Sequence, residues 1–377
     1  MIGIAIFDGT SAGRATDRRL RDVLKKGLEN YETVVINDPA DPARIHADLA
    51  AGVDSVLFAA SIPANGYNRA LSEFMAGLAG GDIDLSGLIG GVVIDGESEF
   101  FTKKLGRTLV FLANRAGMSF PGKPLVEATG HLYNFNTSAR AAGADNITAY
   151  TCAVSALADR LERFSPASDP ILKSKTELQL RLNPQSEPGQ KPDIVTIHAS
   201  SRETSNSLLL WSLIAEKLEG KANIQEIPIR NGTVVDCRGC SFETCRHFGE
   251  SGDCFYGGIM VEKVYPAIMS CDQLVLICPN YNDSVSANIT AFFNRLTALF
   301  YNNDFSGKQI RALIVSGYSG GDIVAEQIIG AMNLNKGFAL PARFAMIETA
   351  NDPRSILEVE NIRERAAAFA GEMLKQR

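Results

Sequence analysis

The chain has 377 residues, a formal net charge of −6, and 45% hydrophobic and 21% charged residues. At about 100–200 residues per domain this length calls for two domains, and the balance is that of a folded globular protein rather than a disordered one. Scattered Lys and Arg on an acidic chain argue against a nucleic-acid or anionic-membrane partner, and no apolar run of about 18 residues offers a membrane span.

The N-terminus opens on a strand-like segment, Ile2–Phe7, without the basic region and apolar stretch of a signal peptide, so a cytoplasmic location is expected. Short apolar runs then alternate with helical patterns: Asp54–Ser61, a helix carrying Phe74, and, after Asp84-Leu-Ser-Gly87, a strand ending at Gly96. This alternation is the mark of βαβ units and a parallel sheet. Between Phe164 and Lys191 the chain becomes rich in Pro, Ser and Gly, as linkers are, with Leu178, Leu180 and Leu182 alternating as a short strand would. Beyond it, strands are expected near Asp193–His198, Ile224–Ile229, Gln273–Cys278, Arg311–Ser316 and Phe344–Ile347. Helices are expected near Asn206–Leu218, Ile259–Met269, Ala287–Phe300 and Ile323–Met332, with a last one from about Pro353.

The two halves resemble each other. Asp54–Ser61 parallels Asp272–Pro279, Phe74 parallels Phe292, Asp84-Leu-Ser-Gly87 parallels Asp304-Phe-Ser-Gly307, and Gly117 and Pro121 match Gly337 and Pro341. The spacing between the copies grows from 191 at Phe7/His198 to 218 at Asp54/Asp272 and is nearly constant beyond, so the extra residues sit in one insertion in the second copy. The expected architecture is therefore α/β: two doubly wound parallel-sheet domains in tandem, residues 1–164 and 192–377, joined by a linker at 165–191.

In such a sheet, ligands sit beyond the carboxyl ends of the strands. Ala199-Ser-Ser-Arg-Glu-Thr-Ser-Asn-Ser207 opens a helix with hydroxyl and amide side chains and Arg202, which suits either an anion or simple N-capping. Pro279-Asn-Tyr-Asn-Asp283 offers an aromatic face among turn residues, and Ser316-Gly-Tyr-Ser-Gly-Gly321 permits close backbone approach to a ligand. The insertion holds Cys237, Cys240, Cys245 and Cys254, four of the seven cysteines. Clustered thiols in a reducing compartment point to metal or redox work rather than to disulfides. Only one close Cys pair is present, which favours an iron–sulfur cluster over zinc, with free or redox-active thiols as a third reading. His247 reads as a solvated loop residue; Cys152, Cys271 and Cys278 read as small core residues.

Taken in order, the three loops resemble the NAD(P)H-dependent FMN reductase and iron–sulfur flavoprotein branch of the flavodoxin-like superfamily. Ala199-Ser200-Ser201-Arg202 with Asn206-Ser207 is similar to the family's phosphate motif, and Cys278-Pro279-Asn280-Tyr281 with Ser284-Val285-Ser286 is similar to its ring-binding motif. The resemblance implies that Ser200, Arg202, Asn206 and Ser207 hold the FMN phosphate. It places the isoalloxazine against Pro279, Asn280, Tyr281, Asn282 and Asp283, under Ser316, Gly317, Tyr318, Gly320 and Gly321. It also implies a [4Fe-4S] cluster on the four cysteines of some members, NAD(P)H as co-substrate, and a homodimer. The chain departs from the pattern in having Ala199 for Gly, Thr290 for Lys, and a third cysteine spaced further on.

The equivalent loops of the first half carry Asp8, Asp95, Glu97 and Glu99, with Pro63 where Tyr281 stands. They read as a degenerate copy that takes no second FMN and instead shapes the flavin entrance or mediates assembly. The expected function is an FMN-dependent NAD(P)H oxidoreductase passing electrons to a small-molecule or protein acceptor. Since the flavin carries the chemistry, no catalytic side chain is required. The rival expectations are an iron–sulfur flavoprotein electron carrier and a non-catalytic scaffold or sensor with zinc on its cysteines.

Overall fold

A computed structural model of the chain describes residues 1–9, 15–36, 52–164, 191–200, 205–300 and 302–375. The chain divides into two compact units, Met1–Ser165 with Leu340–Arg343, and Pro166–Ala339 with Phe344–Arg377. The expected linker, with Leu178, Leu180 and Leu182, lies outside the described residues apart from Lys191.

The first unit is a five-stranded parallel sheet of β1 (Ile2–Phe7), β2 (Thr33–Ile36), β3 (Ser55–Ile62), β4 (Ile89–Gly96) and β5 (Leu125–Ala128) in the order β2-β1-β3-β4-β5. Helices α1 (Ala15–Gly27), α2 (Arg69–Gly80), α3 (Thr102–Arg115), α4 (Asn136–Ala142) and α5 (Asn146–Phe164) cover it. The second unit repeats the plan with β6 (Asp193–His198), β7 (Asn223–Pro228), β8 (Gln273–Pro279), β9 (Gln309–Ser316) and β10 (Ala345–Thr349) in the order β10-β9-β8-β6-β7. Its helices are α6 (Asn206–Leu218), α7 (Phe242–Glu250), α8 (Tyr265–Ser270), α9 (Ala287–Arg295), α10 (Thr297–Phe300), α11 (Gly321–Ile328) and α12 (Ile362–Leu374). Read from either end, both sheets have the doubly wound order with the switch between the first and third strands, so these are two flavodoxin-like domains in tandem.

The central strands β3, β4 and β9 are buried along their whole length, as a parallel sheet covered on both faces requires. The edge strand β7 is exposed over its first four residues and ends at Pro228, whose missing N–H is tolerated at an edge. Phe74 packs its ring 5.1 and 5.2 Å from Phe7 and Phe58, and its counterpart Phe292 is likewise fully buried. Each such side chain contributes about 1.5–3 kcal/mol through burial. The likeness of the copies extends to single hydrogen bonds. Asp84 accepts from the backbone N–H of Ser86 at 3.1 Å, and Asp304 does the same for Ser306 at 2.9 Å. Gly117 and Gly337 both adopt positive φ, 102° and 87°, which explains why glycine recurs at this position.

Four helices differ from expectation. The one expected near Ile259–Met269 opens as a π-type turn over Met260–Val264 and becomes α8 only at Tyr265. The one expected over Ala287–Phe300 is broken at Leu296, where ψ tightens to −13°. The one expected near Ile323–Met332 starts at Gly321 and passes at Ile329 into a wider π-type turn that runs to Asn335. The last helix begins not at Pro353 but at Ile362, because Asn361 takes a left-handed conformation (φ 53°) that separates it from a short turn at Ser355–Glu358. Among the described residues, no helix is long and apolar enough to cross a membrane.

Candidate functional site

The loops after β6, β8 and β9 leave the same edge of the second sheet, and the predicted flavin residues among the described ones lie on them or at the strand and helix ends they join. After β6, Ser200 is buried, while Arg202 falls in 201–204, outside the described residues. Helix α6 then starts behind Ser205, whose backbone is extended (φ −63°, ψ 124°) but whose side chain makes no capping hydrogen bond. By contrast, Ser286 caps α9 through Ile289 N–H, and Asn68 caps α2 through Leu71 N–H. Thus, among the described residues, no side chain caps the first-turn amides of α6, and a helix start with its positive dipole end favours an anion.

The Asn206 side chain, expected on the phosphate, is engaged elsewhere. The Asn206 amide nitrogen donates to Ala350 O at 3.0 Å and Asp352 O at 2.8 Å, and its oxygen accepts from Ile356 N–H at 3.4 Å. It ties α6 to the segment following β10. Ser207 is 1% exposed and belongs to the interior. One residue the sequence reading missed sits at the strand end: His198, 3% exposed, with Nε2 3.3 Å from Glu226 Oε1. Burial holds its pKa below the ordinary imidazole value, so the ring is neutral near pH 7. Trp211 Nε1 donates to the other Glu226 oxygen at 3.0 Å, fixing that carboxylate in place.

On the ring side, Tyr281 and Ser284 exchange backbone hydrogen bonds of 3.0 and 3.1 Å around Asn282 and Asp283, both at positive φ (52° and 55°). Paired left-handed residues make a tight turn in which Asn and Asp are well tolerated. Asn280 joins this loop to the next: its amide nitrogen donates to Ser319 O at 2.7 Å and Ser316 Oγ at 3.3 Å. Among the described residues its amide oxygen is buried without a hydrogen-bond partner, and an N–H donor would satisfy it. Gln327 of α11, unrecognised in the sequence, clamps the loop from behind by accepting from Val285 N–H at 3.0 Å. Tyr281 and Tyr318 stand 56% and 81% exposed on the two loops, with Asn351 donating to the Tyr318 hydroxyl at 3.1 Å. The glycines of the third loop serve packing between loops. A Cβ on Gly320 (φ 83°) would fall 2.0 Å from Asp283 Oδ1, and one on Gly321 would fall 2.5 Å from Ile347.

The insertion lies between β7 and β8. Cys237, Cys240, Cys245 and Cys254 all line one cavity of about 260 Å³, together with Phe242, Phe248, Phe255, Tyr256 and Arg295. All seven cysteines of the chain are free thiols. Burial, reinforced by the other three sulfurs, raises the pKa of Cys245. The donor set suits a soft metal or cluster, but the sulfurs share the cavity without reaching ligand spacing. Among the described residues, no group of three or more His, Cys, Asp or Glu stands ready to hold a metal ion. Burial pushes the Cys271 and Cys278 thiols up to about 12, in keeping with their expected place in the core, whereas Cys152 is exposed and not a core residue.

The first domain closes the same edge with its own side chains. Asp17, buried at the start of α1, accepts at Oδ1 from Gly9 N–H (3.1 Å) and from the Ser61 hydroxyl, so a carboxylate occupies the strand ends where an anion would bind. Arg19 forks onto Asp95, with Nε–Oδ distances of 3.2 and 3.0 Å, and donates to the carbonyls of Gly130 (3.0 Å) and Gly96 (3.2 Å). Asp95 is fully buried, and that burial pushes its carboxyl up to about 6 against the pull of Arg19. The exposed acids are partnered too: Glu97 accepts from Ala64 N–H at 3.0 Å and Glu99 from His131 N–H at 3.0 Å.

Residues 192–352 match the family model described as NADPH-dependent FMN reductase. The second domain belongs to that family. It is accordingly the domain of an NAD(P)H-dependent flavin oxidoreductase, with FMN as the cofactor of the family. No curated protein matches the chain. Among solved structures, it is similar to an NAD(P)H:quinone oxidoreductase from Methanothermobacter marburgensis at 14% identity and a TM-score of 0.39, over 50% of this chain and 100% of that one. An azoreductase from Bacillus anthracis str. Sterne matches at 13% identity and a TM-score of 0.34, over 48% of this chain and 97% of that one. The Trp repressor binding protein from Bacillus subtilis matches at 17% identity and a TM-score of 0.32, over 46% and 98%. At these scores the likenesses carry no weight for the chemistry of this FMN reductase domain.

Two substitutions test the geometry of the strand ends. Gly320→Ala is expected to destabilise the second domain by at least about 1–2 kcal/mol, the cost of a left-handed alanine, with the clash on Asp283 added. Adding Asp283→Gly should recover part of the loss in thermal denaturation. Arg19→Met should cost the first domain about 3 kcal/mol at pH 8, because it leaves Asp95 buried and unpaired. Because the pKa of folded Asp95 is raised, stability from its protonation is present at low pH and lost as pH rises through about 6. The Arg19→Met deficit should therefore shrink at pH 5 in urea titrations.

Proposed function

We propose that the second domain binds one FMN across its three loops and uses it to pass reducing equivalents from NAD(P)H to a small-molecule or protein acceptor. The observation that carries this reading is the meeting, at one sheet edge, of an uncapped helix start, a buried amide oxygen lacking a donor, and two exposed tyrosines. The α6 amides and Ser200 take the phosphate, with Arg202 as its expected counter-charge. Asn280 meets the polar edge of the ring, since a flavin carries an N–H of the kind its oxygen lacks, and Tyr281 and Tyr318 offer apolar faces. The flavin, when bound, supplies hydride and single-electron transfer at N5. No G-x-G-x-x-G segment follows a strand in this chain, so the nicotinamide must reach the flavin directly, and the exposure of Tyr281 and Tyr318 leaves that face approachable.

The four thiols gathered round one cavity are read as a metal or redox-active group, with a [4Fe-4S] cluster ranked above zinc on the cysteine spacing alone. Seven free thiols fit a reducing compartment such as the cytoplasm. The first domain, its strand ends laced by Asp17 and Arg19, is read as the copy that takes no flavin.

Purified protein supplied with FMN is expected to show the absorption of bound oxidised flavin and to consume NADPH faster when a quinone is added. Asn280→Ala should weaken FMN binding by about tenfold or more, the effect of losing a buried polar contact worth about 1–3 kcal/mol, with the far-ultraviolet circular dichroism unchanged. A colourless protein that takes up no FMN would sink the reading. Bound flavin that partner proteins reduce but NAD(P)H does not would favour the electron carrier instead.

A further inference from the structure

The thiols of the insertion line their cavity beside a wall of aromatic rings. Phe248, Phe255 and Tyr256 form an edge-to-face row: the Phe248 and Phe255 centroids lie 5.5 Å apart at 69°, and those of Phe255 and Tyr256 lie 5.2 Å apart at 89°. Rings packed in this way keep faces and edges available to a further flat group. Phe255 and Phe242 are 63% and 53% exposed, so the wall opens to solvent, and aromatics exposed together around a cavity mark a binding groove rather than a core. The row ends at a sulfur: half-buried Cys240 donates through Sγ–H to the Tyr256 hydroxyl oxygen at 3.9 Å. The Arg238 guanidinium, 5.2 Å from the centre of the Tyr256 ring, holds that ring in place. Arg295 is 3% exposed, and its terminal nitrogens donate to Val235 O at 3.4 Å and Gly257 O at 2.8 Å. It is committed to the backbone, and the cavity presents mainly sulfur and ring surface to a ligand. Its volume, about 260 Å³, falls just below the ~300 Å³ at which pockets for drug-sized ligands begin, so it fits a molecule of about one or two rings.

We propose that this cavity is a covalent capture site for small, uncharged aromatic compounds that carry an α,β-unsaturated carbonyl, with Cys240 as the attacking thiol. Flavin takes no part, so the inference stands apart from the function proposed above. The chemistry matches the lining. Cysteine sulfur is a soft, polarisable nucleophile, and the β-carbon of a conjugated carbonyl is a soft electrophile. An aromatic compound docked on Phe255 and Tyr256 brings its β-carbon to the end of the row where Cys240 stands, which turns a chance encounter into a positioned one. The sulfur lone pair forms the S–C bond, the C=C π pair moves to the α-carbon, and the α-carbon takes up, through solvent, the proton that the thiol gives up. The product is a thioether; nothing is oxidised or reduced, and no metal or further reactant is needed. All seven cysteines are free thiols, and Cys152, exposed on α5 of the first domain, supplies a reference thiol within the same chain.

The test treats the full-length chain, reduced and then freed of reductant, with N-phenylmaleimide and separately with N-(2-carboxyethyl)maleimide. The two carry one electrophile on an aromatic and on a charged tail. Peptide mass mapping over time gives the rate at each cysteine. The ratio of phenyl to carboxyethyl rates at Cys240 is expected to exceed the same ratio at Cys152 by at least about tenfold, the lower end of what burying one ring supplies. In Phe255→Ser, at an exposed position, that margin should fall to about threefold or less, because one ring contact is lost. Phe242→Ser, also exposed, should lower it in the same direction and serves if Phe255→Ser does not fold. Equal ratios at Cys240 and Cys152, a margin retained in both variants, or Cys240 left unlabelled by both reagents would overturn the proposal.

Discussion

A parallel sheet sends every loop that follows a strand to the same edge, and this constraint organises everything else in the molecule. Each strand must return by a crossover on the outside, so the sheet is buried on both faces and its interior is spent on packing. Chemistry is left to the carboxyl edge. In the second domain that edge gathers segments far apart in the chain, around Ser200, Asn280 and Ser316, and Asn280 joins two of them through Ser316 and Ser319.

The same constraint acts on both domains, and they resolve it differently. At the strand ends of the first domain Asp17 takes the amide of Gly9 through Oδ1, with Oδ2 buried and unpartnered among the described residues, and Arg19 takes Asp95 and two carbonyls. In the second, among the described residues, no side chain caps α6 and the Asn280 oxygen has no donor. A charged group held internally is neutralised and desolvated once, during folding, whereas an open one keeps its binding capacity for a ligand. Identical topology thus carries two different sets of side chains at its strand ends, which is why fold alone does not settle function.

Much of the fold was legible in the sequence, since buried parallel strands read as uninterrupted apolar runs and the repeat aligned Asp84 with Asp304 and Gly117 with Gly337. Helix ends were less so, because the left-handed Asn361 and the tight turn at Leu296 arise from local backbone geometry that composition does not mark. At the site, the loops were found but some of the roles were not. The Asn206 side chain was expected on a ligand and instead ties α6 to the segment after β10, since an Asn at a helix start serves an anion or a neighbouring carbonyl equally well. Gln327, Asn351 and His198 were missed because they act across the fold on partners distant in sequence, with no motif around them. The glycines of the third loop suggested ligand approach, yet Gly320 makes room for Asp283.

The central claim is that one edge of the two is receptive to flavin. Equilibrium dialysis of the flavin-free, full-length chain against FMN counts those edges directly. The account predicts saturation at one FMN per chain. Two per chain would show that Asp17 and Arg19 do not close the first domain, and none would show that the open groups of the second domain do not make a flavin site.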